Sequence, residues 1–246
     1  MKLLSDRRAL VTGGSRGLGE AICRALAEQG ADVAFTHTRE DDSAASTLRG
    51  ISEKGVRAKA YRVSVLDSAA TATMVKELES LWGRIDILIN NAGVTANLPL
   101  ALLEEEDWDH VMDVNVKGVF LTSKAVLRGM IRRKSGVILN IGSLAGTRMI
   151  EAPIHYCASK AALVGFTRAL SKEVARHQVR VNCLAPGLLE DGIGKNLPDY
   201  KLADYLKHCA LGRVGTFDEV AQLAAFLVSD ANTYMSGETI VMDGGV

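Results

Sequence analysis

The sequence lacks the features that mark a secreted, membrane-bound or broadly basic protein. Its 29 lysines and arginines are matched by 29 aspartates and glutamates, so there is no net charge. A protein that works through non-specific contact with nucleic acid or anionic membrane carries an excess of basic charge, and neither partner is expected here. The four cysteines, Cys23, Cys157, Cys183 and Cys209, are far apart and form neither a zinc pattern nor a C-x-x-C pair. No metal site is expected. Isolated cysteines in apolar stretches read as small core residues in a reducing, cytoplasmic setting. No run reaches 18 apolar residues, the first residues hold no apolar leader, and no Asn-x-Ser/Thr acceptor occurs. A membrane span, a signal peptide and secretory glycosylation therefore have no support. No composition shift, low-complexity linker or long repeat divides the chain.

What is present is an ordinary globular composition: 246 residues, 48% hydrophobic and 24% charged. That length suits one larger α/β domain over residues 1–246. Buried apolar runs alternate with segments of helical period. Strands are expected at Ala9–Thr12, Asp32–Thr36, Ala58–Ser64, Asp86–Asn90, Val137–Gly142, Val179–Ala185 and Thr239–Met242. Helices are expected at Leu18–Gln29, Asp42–Lys54, Ser68–Trp82, Glu105–Lys134, His155–His177 and Asp218–Ser229. Continuous apolar strands imply a sheet covered on both faces. Strict β-α alternation implies a Rossmann-type, doubly wound, mostly parallel seven-stranded sheet. The irregular stretch Gly187–Gly215, with Pro198 and a short helical pattern near Leu202–Cys209, is where a lid of about residues 188–213 would sit.

Thr12-Gly13-Gly14-Ser15-Arg16-Gly17-Leu18-Gly19 links the first strand to the first helix. A helix N-terminus offers unpaired N–H groups and partial positive charge, which suit a pyrophosphate. Gly13 permits the turn, Gly17 lets backbone approach phosphate, and Gly19 allows close helix–strand packing. A dinucleotide site that prefers NAD has an acid at the end of the second strand. Here that strand ends Phe35-Thr36-His37-Thr38-Arg39; Asp32 lies at its other end, and Glu40, Asp41 and Asp42 read as helix caps. Arg16 and Arg39 are placed to meet a 2′-phosphate, so NADP(H) is expected over NAD(H). Solvated surface arginines are the competing reading, stronger for Arg39 than for Arg16.

Tyr156 and Lys160 stand four residues apart, on one face of a helix. A phenol of pKa near 10 is a poor acid at neutral pH, and a neighbouring ammonium lowers that value. Alone, such a pair is common on helix surfaces. Ser143 gives it company, closing the preceding strand at the sheet edge where α/β sites form.

With these motifs in order, the chain resembles the short-chain dehydrogenase/reductase family along essentially its whole length. The resemblance rests on Thr12–Gly19, Asn90-Asn91-Ala92-Gly93, Asn115, Ser143, Tyr156-x-x-x-Lys160, Pro186-Gly187 and the tail from Ser236-Gly237-Glu238 to Asp243-Gly244-Gly245. It implies hydride transfer between a nicotinamide and a carbonyl or alcohol carbon. Tyr156 would protonate the carbonyl oxygen, Lys160 would lower the phenol pKa and hold the nicotinamide ribose, and Ser143 would stabilise the substrate oxygen. Asn115 would distort the long helix and hold a proton-relay water. Asn90, Asn91, Ala92 and Gly93 would line the cofactor pocket, and Pro186, Gly187 and Leu189 would lie over the nicotinamide. Thr36, His37 and Arg39 would border the adenosine ribose, with Ser15, Arg16 and Leu18 in the phosphate loop. Two departures stand out. Ser64-Val65 replaces the family's Asp-aliphatic pair at the adenine, and Asp191 stands near a family threonine that touches the carboxamide.

Within the family, the stretches Ala9–Gly19, Asp86–Gly93, Ser123–Met130, Ser159–Lys172 and Gly212–Val220 are most similar to β-ketoacyl-acyl carrier protein reductases. That implies NADPH-dependent reduction of a 3-oxoacyl thioester, on acyl carrier protein or coenzyme A, by a homotetramer. A basic patch for an acidic carrier protein would centre on Arg128 and Lys172, extended by Arg132, Arg133 and Lys134. An ordinary solvated basic helix end is an equal reading of those charges. Sugars, steroids and other secondary alcohols or ketones are alternative substrates, because the segments that choose, Leu144–Ile154 and Leu188–Arg213, are divergent. A non-catalytic dinucleotide sensor is the remote alternative, since such proteins lose the proton-transfer residues that this chain retains.

Overall fold

The computed structural model describes residues 2–39, 42–191 and 199–246. Seven strands form one sheet: β1 Arg8–Val11, β2 Asp32–His37, β3 Ala58–Arg62, β4 Ile87–Asn90, β5 Gly136–Ile141, β6 Val179–Pro186 and β7 Thr239–Met242. Their order is β3-β2-β1-β4-β5-β6-β7, and all six pairings are parallel. The expected sheet was mostly parallel; the observed one is wholly so. The helices are α1 Gly17–Glu28, α2 Ser43–Ser52, α3 Ser68–Trp82, α4 Glu105–Met112, α5 Gly118–Arg133, α6 Ile154–Val174, α7 Asp199–His208 and α8 Phe217–Val228.

Side-chain alternation divides the core. On β1, β2 and β4, residues Ala9, Val11, Val33, Phe35, Ile87 and Ile89 face one layer with α1 and α8, contributed by Ile22, Leu26, Ala221 and Ala224. The intervening Leu10, Ala34 and Leu88 face the other layer, with Met74 and Leu78 of α3 and Val126 and Met130 of α5. Each strand thus buries both faces, which is why it reads as continuous apolar sequence. A fully buried Leu, Ile or Phe contributes about 1.5–3 kcal/mol relative to exposure.

Two expectations are corrected. The single helix over Glu105–Lys134 is interrupted at Asp113–Lys117, a wider turn in which the Gly118 N–H reaches back five residues to the Asp113 carbonyl. Hydrophobic periodicity cannot register one extra residue in a continuous helical path. The second helix begins at Ser43, and Asp42 at its cap makes no side-chain capping bond; Glu40 and Asp41 lie outside the described residues, as does 192–198 of the expected lid. Asp32, at the start of β2, accepts from the Arg57 amide and guanidinium at 2.6–2.9 Å.

A buried polar ladder locks the sheet's C-terminal edge to the helices. The Asn90 amide donates to Asn140 Oδ1 (2.9 Å) and Ser123 Oγ (3.1 Å) and accepts from Thr122 Oγ1 (2.6 Å); Asn140 donates to Thr167 Oγ1 (2.9 Å). Every member is buried and partnered, so the network fixes register without the cost of orphaned groups. The Asn90 side chain is thus engaged within the sheet and α5.

Candidate active site

Two halves meet above the C-terminal ends of the strands. The first is the glycine loop between β1 and α1. Gly13 and Gly17 have φ of 66° and 55°, a region L-residues rarely enter. Gly19 is needed for contact: a Cβ there would lie 2.1 Å from the Gly13 oxygen and 2.6 Å from Asn91 Nδ2. The loop is braced from β4. Thr12 Oγ1 accepts from the N–H groups of Asn91 (3.0 Å) and Ala92 (3.1 Å), and Asn91 Nδ2 donates to the carbonyls of Thr12 and Gly13. From β2, Thr36 Oγ1 accepts from Gly13 N and the Thr36 carbonyl from Gly14 N. Thr36 and Asn91 therefore act on the loop, and sequence reading missed the bracing role of Thr12 because a lone threonine before a glycine loop carries no distinctive pattern.

Around the loop, Ser15 is buried and its carbonyl accepts from Thr47 Oγ1. Arg16 occupies the N-cap of α1, extended and exposed, and Arg39 is exposed beyond β2, where His37 Nδ1 lies 3.1 Å from the Arg39 carbonyl. Leu18 packs against the α1–α8 core layer. Ser64 and Val65 follow β3; Ser64 Oγ accepts from the Leu66 amide, and Val65 is buried against Gly118.

Replacing Gly19 with alanine should overpack this junction. The expected cost is about 1–3 kcal/mol, a melting temperature lower by about 2–4 °C for each kcal/mol in a chain of this size. A thermal melt that matches wild type would show that the loop yields.

The second half gathers Ser143, Tyr156, Lys160 and Asn115. Ser143 follows β5, and its hydroxyl accepts from the Ala145 amide (3.1 Å). Tyr156 and Lys160 lie one turn apart in α6, both buried, with the Lys160 nitrogen 5.6 Å from the Tyr156 ring centre. Lys160 Nζ donates to the Ile141 carbonyl at 2.8 Å. Gly93 faces this pair: a Cβ there would sit 3.5 Å from Lys160 Nζ and 3.3 Å from Asn115 Oδ1. Asn115, in the wide turn, accepts from Val94 N (2.8 Å) and donates to the Val94 carbonyl and Ser159 Oγ (both 2.9 Å). Its amide thus ties the β4 loop to α6.

Burial raises the Tyr156 pKa, and the bond from Ser143 is what opposes that rise. Burial also lowers Lys160 itself, to about 8. Another group absent from the sequence reading is His155: fully buried, it accepts the Tyr156 N–H on Nδ1 at 2.9 Å and so holds the tyrosine's backbone at the helix start.

Over this half, β6 ends in Pro186, followed by Gly187. The Gly215 N–H donates to the Leu188 carbonyl and the Gly215 carbonyl accepts from the Glu190 N–H, both at 3.0 Å, which sets Leu189 beside Gly215. Arg128 and Lys172 are exposed, as are Arg132 and Lys134. Arg133 does not extend that patch: it is paired with Glu79 (3.3 Å) and donates to the Ile85 carbonyl (2.6 Å). Among the described residues no group of His, Cys, Asp or Glu could hold a metal ion, and no helix is long and apolar enough to cross a membrane.

Residues 13–246 match the profile of a family described as enoyl-(acyl carrier protein) reductase. The chain is 38% identical over 245 residues to the 3-oxoacyl-(acyl-carrier-protein) reductase FabG of Chlamydia muridarum, covering 99% of this chain and 98% of that one. It is 38% identical over 239 residues to the protein of that name from Escherichia coli, covering 97% and 96%. A short-chain dehydrogenase of Burkholderia cenocepacia, solved in complex with NADP, superposes with a TM-score of 0.91 at 35% identity, covering 99% of this chain and 98% of that one.

Proposed function

Because the chain belongs to the short-chain dehydrogenase/reductase family, we propose that it is an NADPH-dependent reductase of 3-oxoacyl thioesters. The observation that carries this reading is the cluster of Ser143 with the buried Tyr156 and Lys160, beside a glycine loop in which Gly14 and Gly19 leave no room for a Cβ.

The residues fit a dinucleotide. The loop is braced from β2 and β4, so the N–H groups at the start of α1 are held ready for phosphate. Arg16 and Arg39 are exposed, at the loop and beyond the end of β2, and suit a 2′-phosphate. Gly93 leaves open the space beside Lys160, whose ammonium has three donors and gives one to Ile141. The remaining donors suit ribose hydroxyls.

A bound nicotinamide supplies the hydride. Tyr156 keeps its proton through the neutral range, since burial raises its pKa, and delivers it to the carbonyl oxygen as negative charge grows there. Ser143 orients the phenol and donates to the same oxygen. Lys160 places positive charge beside the phenol as it ionises. Asn115 positions these groups by joining the β4 loop to α6 through Val94 and Ser159.

Three features support an acyl substrate. The names of the relatives point to carrier-linked thioesters. Met149, between β5 and α6, and Ile154, at the start of α6, expose apolar side chains. Arg128 and Lys172 offer a basic surface to an acidic carrier. The test is NADPH oxidation by acetoacetyl-thioester on carrier protein and on coenzyme A, with NADH in parallel. The expected result is turnover with a kcat/KM higher for NADPH. Turnover of sugars or steroids alone would overturn the substrate, and a preference for NADH would overturn the cofactor.

A further inference from the structure

Beyond the cluster that handles the proton, one hydroxyl joins three separate chain segments next to the site. Tyr205, on α7, accepts from the Leu188 N–H at 3.0 Å and donates to the Asp243 carbonyl at 3.3 Å. These contacts begin where the sheet ends. Pro186 and Met242 are the last paired residues of β6 and β7, and Gly187 N still reaches the Met242 carbonyl at 2.9 Å. For the next amide, Leu188, the Tyr205 hydroxyl takes the place of a strand partner. The approach is close: a Cβ on Gly187 would stand 2.5 Å from the hydroxyl oxygen and 2.9 Å from Asp243 Cα.

Tyr205 belongs to a larger attachment. Cys209, just past the end of α7, is buried with its sulfur near the carbonyls of Arg213 (3.4 Å) and Gly244 (3.5 Å). The Leu211 and Ala210 amides donate to the carbonyls of Gly244 and Gly245. At the other end of α7, Lys201 pairs with Glu151 of the segment between β5 and α6 at 2.7 Å. The outer face of α7, including Tyr200 and Lys207, is exposed. The helix is therefore held by specific polar contacts more than by a deep apolar stripe. The hydroxyl is partly buried, and burial raises its pKa, so it stays protonated and able both to donate and to accept.

We propose that Tyr205 is a positioning residue that fixes the Pro186–Leu189 strap to the lid helix and the chain's C-terminal segment, and that cofactor affinity depends on this pin. The proposal rests on the reading that the strap lies over the nicotinamide. Without the hydroxyl, the Leu188 N–H loses its partner and the strap gains freedom that binding must then remove.

The test is Tyr205→Phe, which retains the ring. NADPH and NADH dissociation constants are measured directly on the full chain, alongside KM, kcat and amide exchange at Leu188. The loss of one neutral hydrogen bond is worth about 0.5–1.5 kcal/mol, so the expected result is a roughly 2- to 10-fold weaker NADPH affinity and a matching rise in KM. Leu188 exchange should quicken while core-strand amides keep wild-type protection, and kcat should hold. Unchanged affinity, unchanged Leu188 exchange, or a uniform loss of protection across the sheet would each overturn the pin. Leu188 protection in the wild-type protein supplies a second reading if the variant folds poorly: rapid exchange there would equally refute it. A wild-type protein that binds NADPH but leaves thioesters untouched would refute the proposed function and leave this test intact.

Discussion

Tyr156→Phe will lower kcat for thioester reduction by about 10²–10⁴-fold, the usual contribution of a positioned proton donor, while NADPH affinity stays within a few-fold of wild type. The ring of Tyr156 is buried in α6 and the substitution removes only its oxygen. The helix start is held independently, by the bond from the Tyr156 amide to His155 Nδ1, and that bond survives the change. Ser143 keeps its bond from the Ala145 amide. The variant should therefore fold, bind and fail at the proton-transfer step. Steady-state kinetics with a direct binding titration separate these outcomes. Wild-type kcat in the variant would remove Tyr156 from the chemistry, and lost NADPH binding would make its role structural.

Lys160→Met should lower kcat/KM by about 10²–10³-fold, the scale for removing one preorganised electrostatic contact, and should also change how stability responds to pH. Burial lowers the ammonium from 10.5 to about 8. The folded protein favours the neutral amine, so between these values the unfolded chain binds more protons. Stability then rises as pH climbs from about 8 to 10.5 and is lost again as pH falls through 8. The gap corresponds to about 3 kcal/mol. Methionine does not titrate, so the wild-type curve should gain about that amount on the variant's across the window. At neutral pH the two are closer, since the Ile141 carbonyl left without its donor costs about 1–3 kcal/mol. Urea unfolding at several pH values measures the difference, and parallel curves would mean that the ammonium is not desolvated. The same titration should appear in wild-type kinetics as a fall in kcat/KM above pH of about 8.

These two predictions need different amounts of structure. The Tyr156–Lys160 spacing and the glycine loop are local patterns, set by helical period and by the short reach of a turn, and both are visible in the chain. So is the sheet: Ala9–Val11, Val33–Phe35 and Ile87–Ile89 read as buried strands because both faces of each are covered. The wide turn at Asp113–Lys117 was not visible in periodicity, because one added residue leaves a helix looking like a helix. It was suggested only by the family resemblance at Asn115. The partners of that asparagine, Val94 and Ser159, lie 21 and 44 residues away. Arg133 likewise looked like one of a basic run and proves to be an internal brace, for reasons that depend on Glu79 of another helix.

By itself the sequence determined the alternating architecture, the position of the loop at the first helix and the identity of the groups that can move a proton. Those follow from periodicity, glycine's conformational freedom and side-chain chemistry, all of which act over a few residues. The tertiary structure alone decided what each group faces. It directed the Lys160 ammonium to Ile141, made Ser143 the partner that opposes the rise in the Tyr156 pKa, and brought Tyr205 to the strap beside Asp243. Desolvation and hydrogen bonding depend on neighbours brought together from distant parts of the chain, and sheet pairing and helix packing are what supply those neighbours.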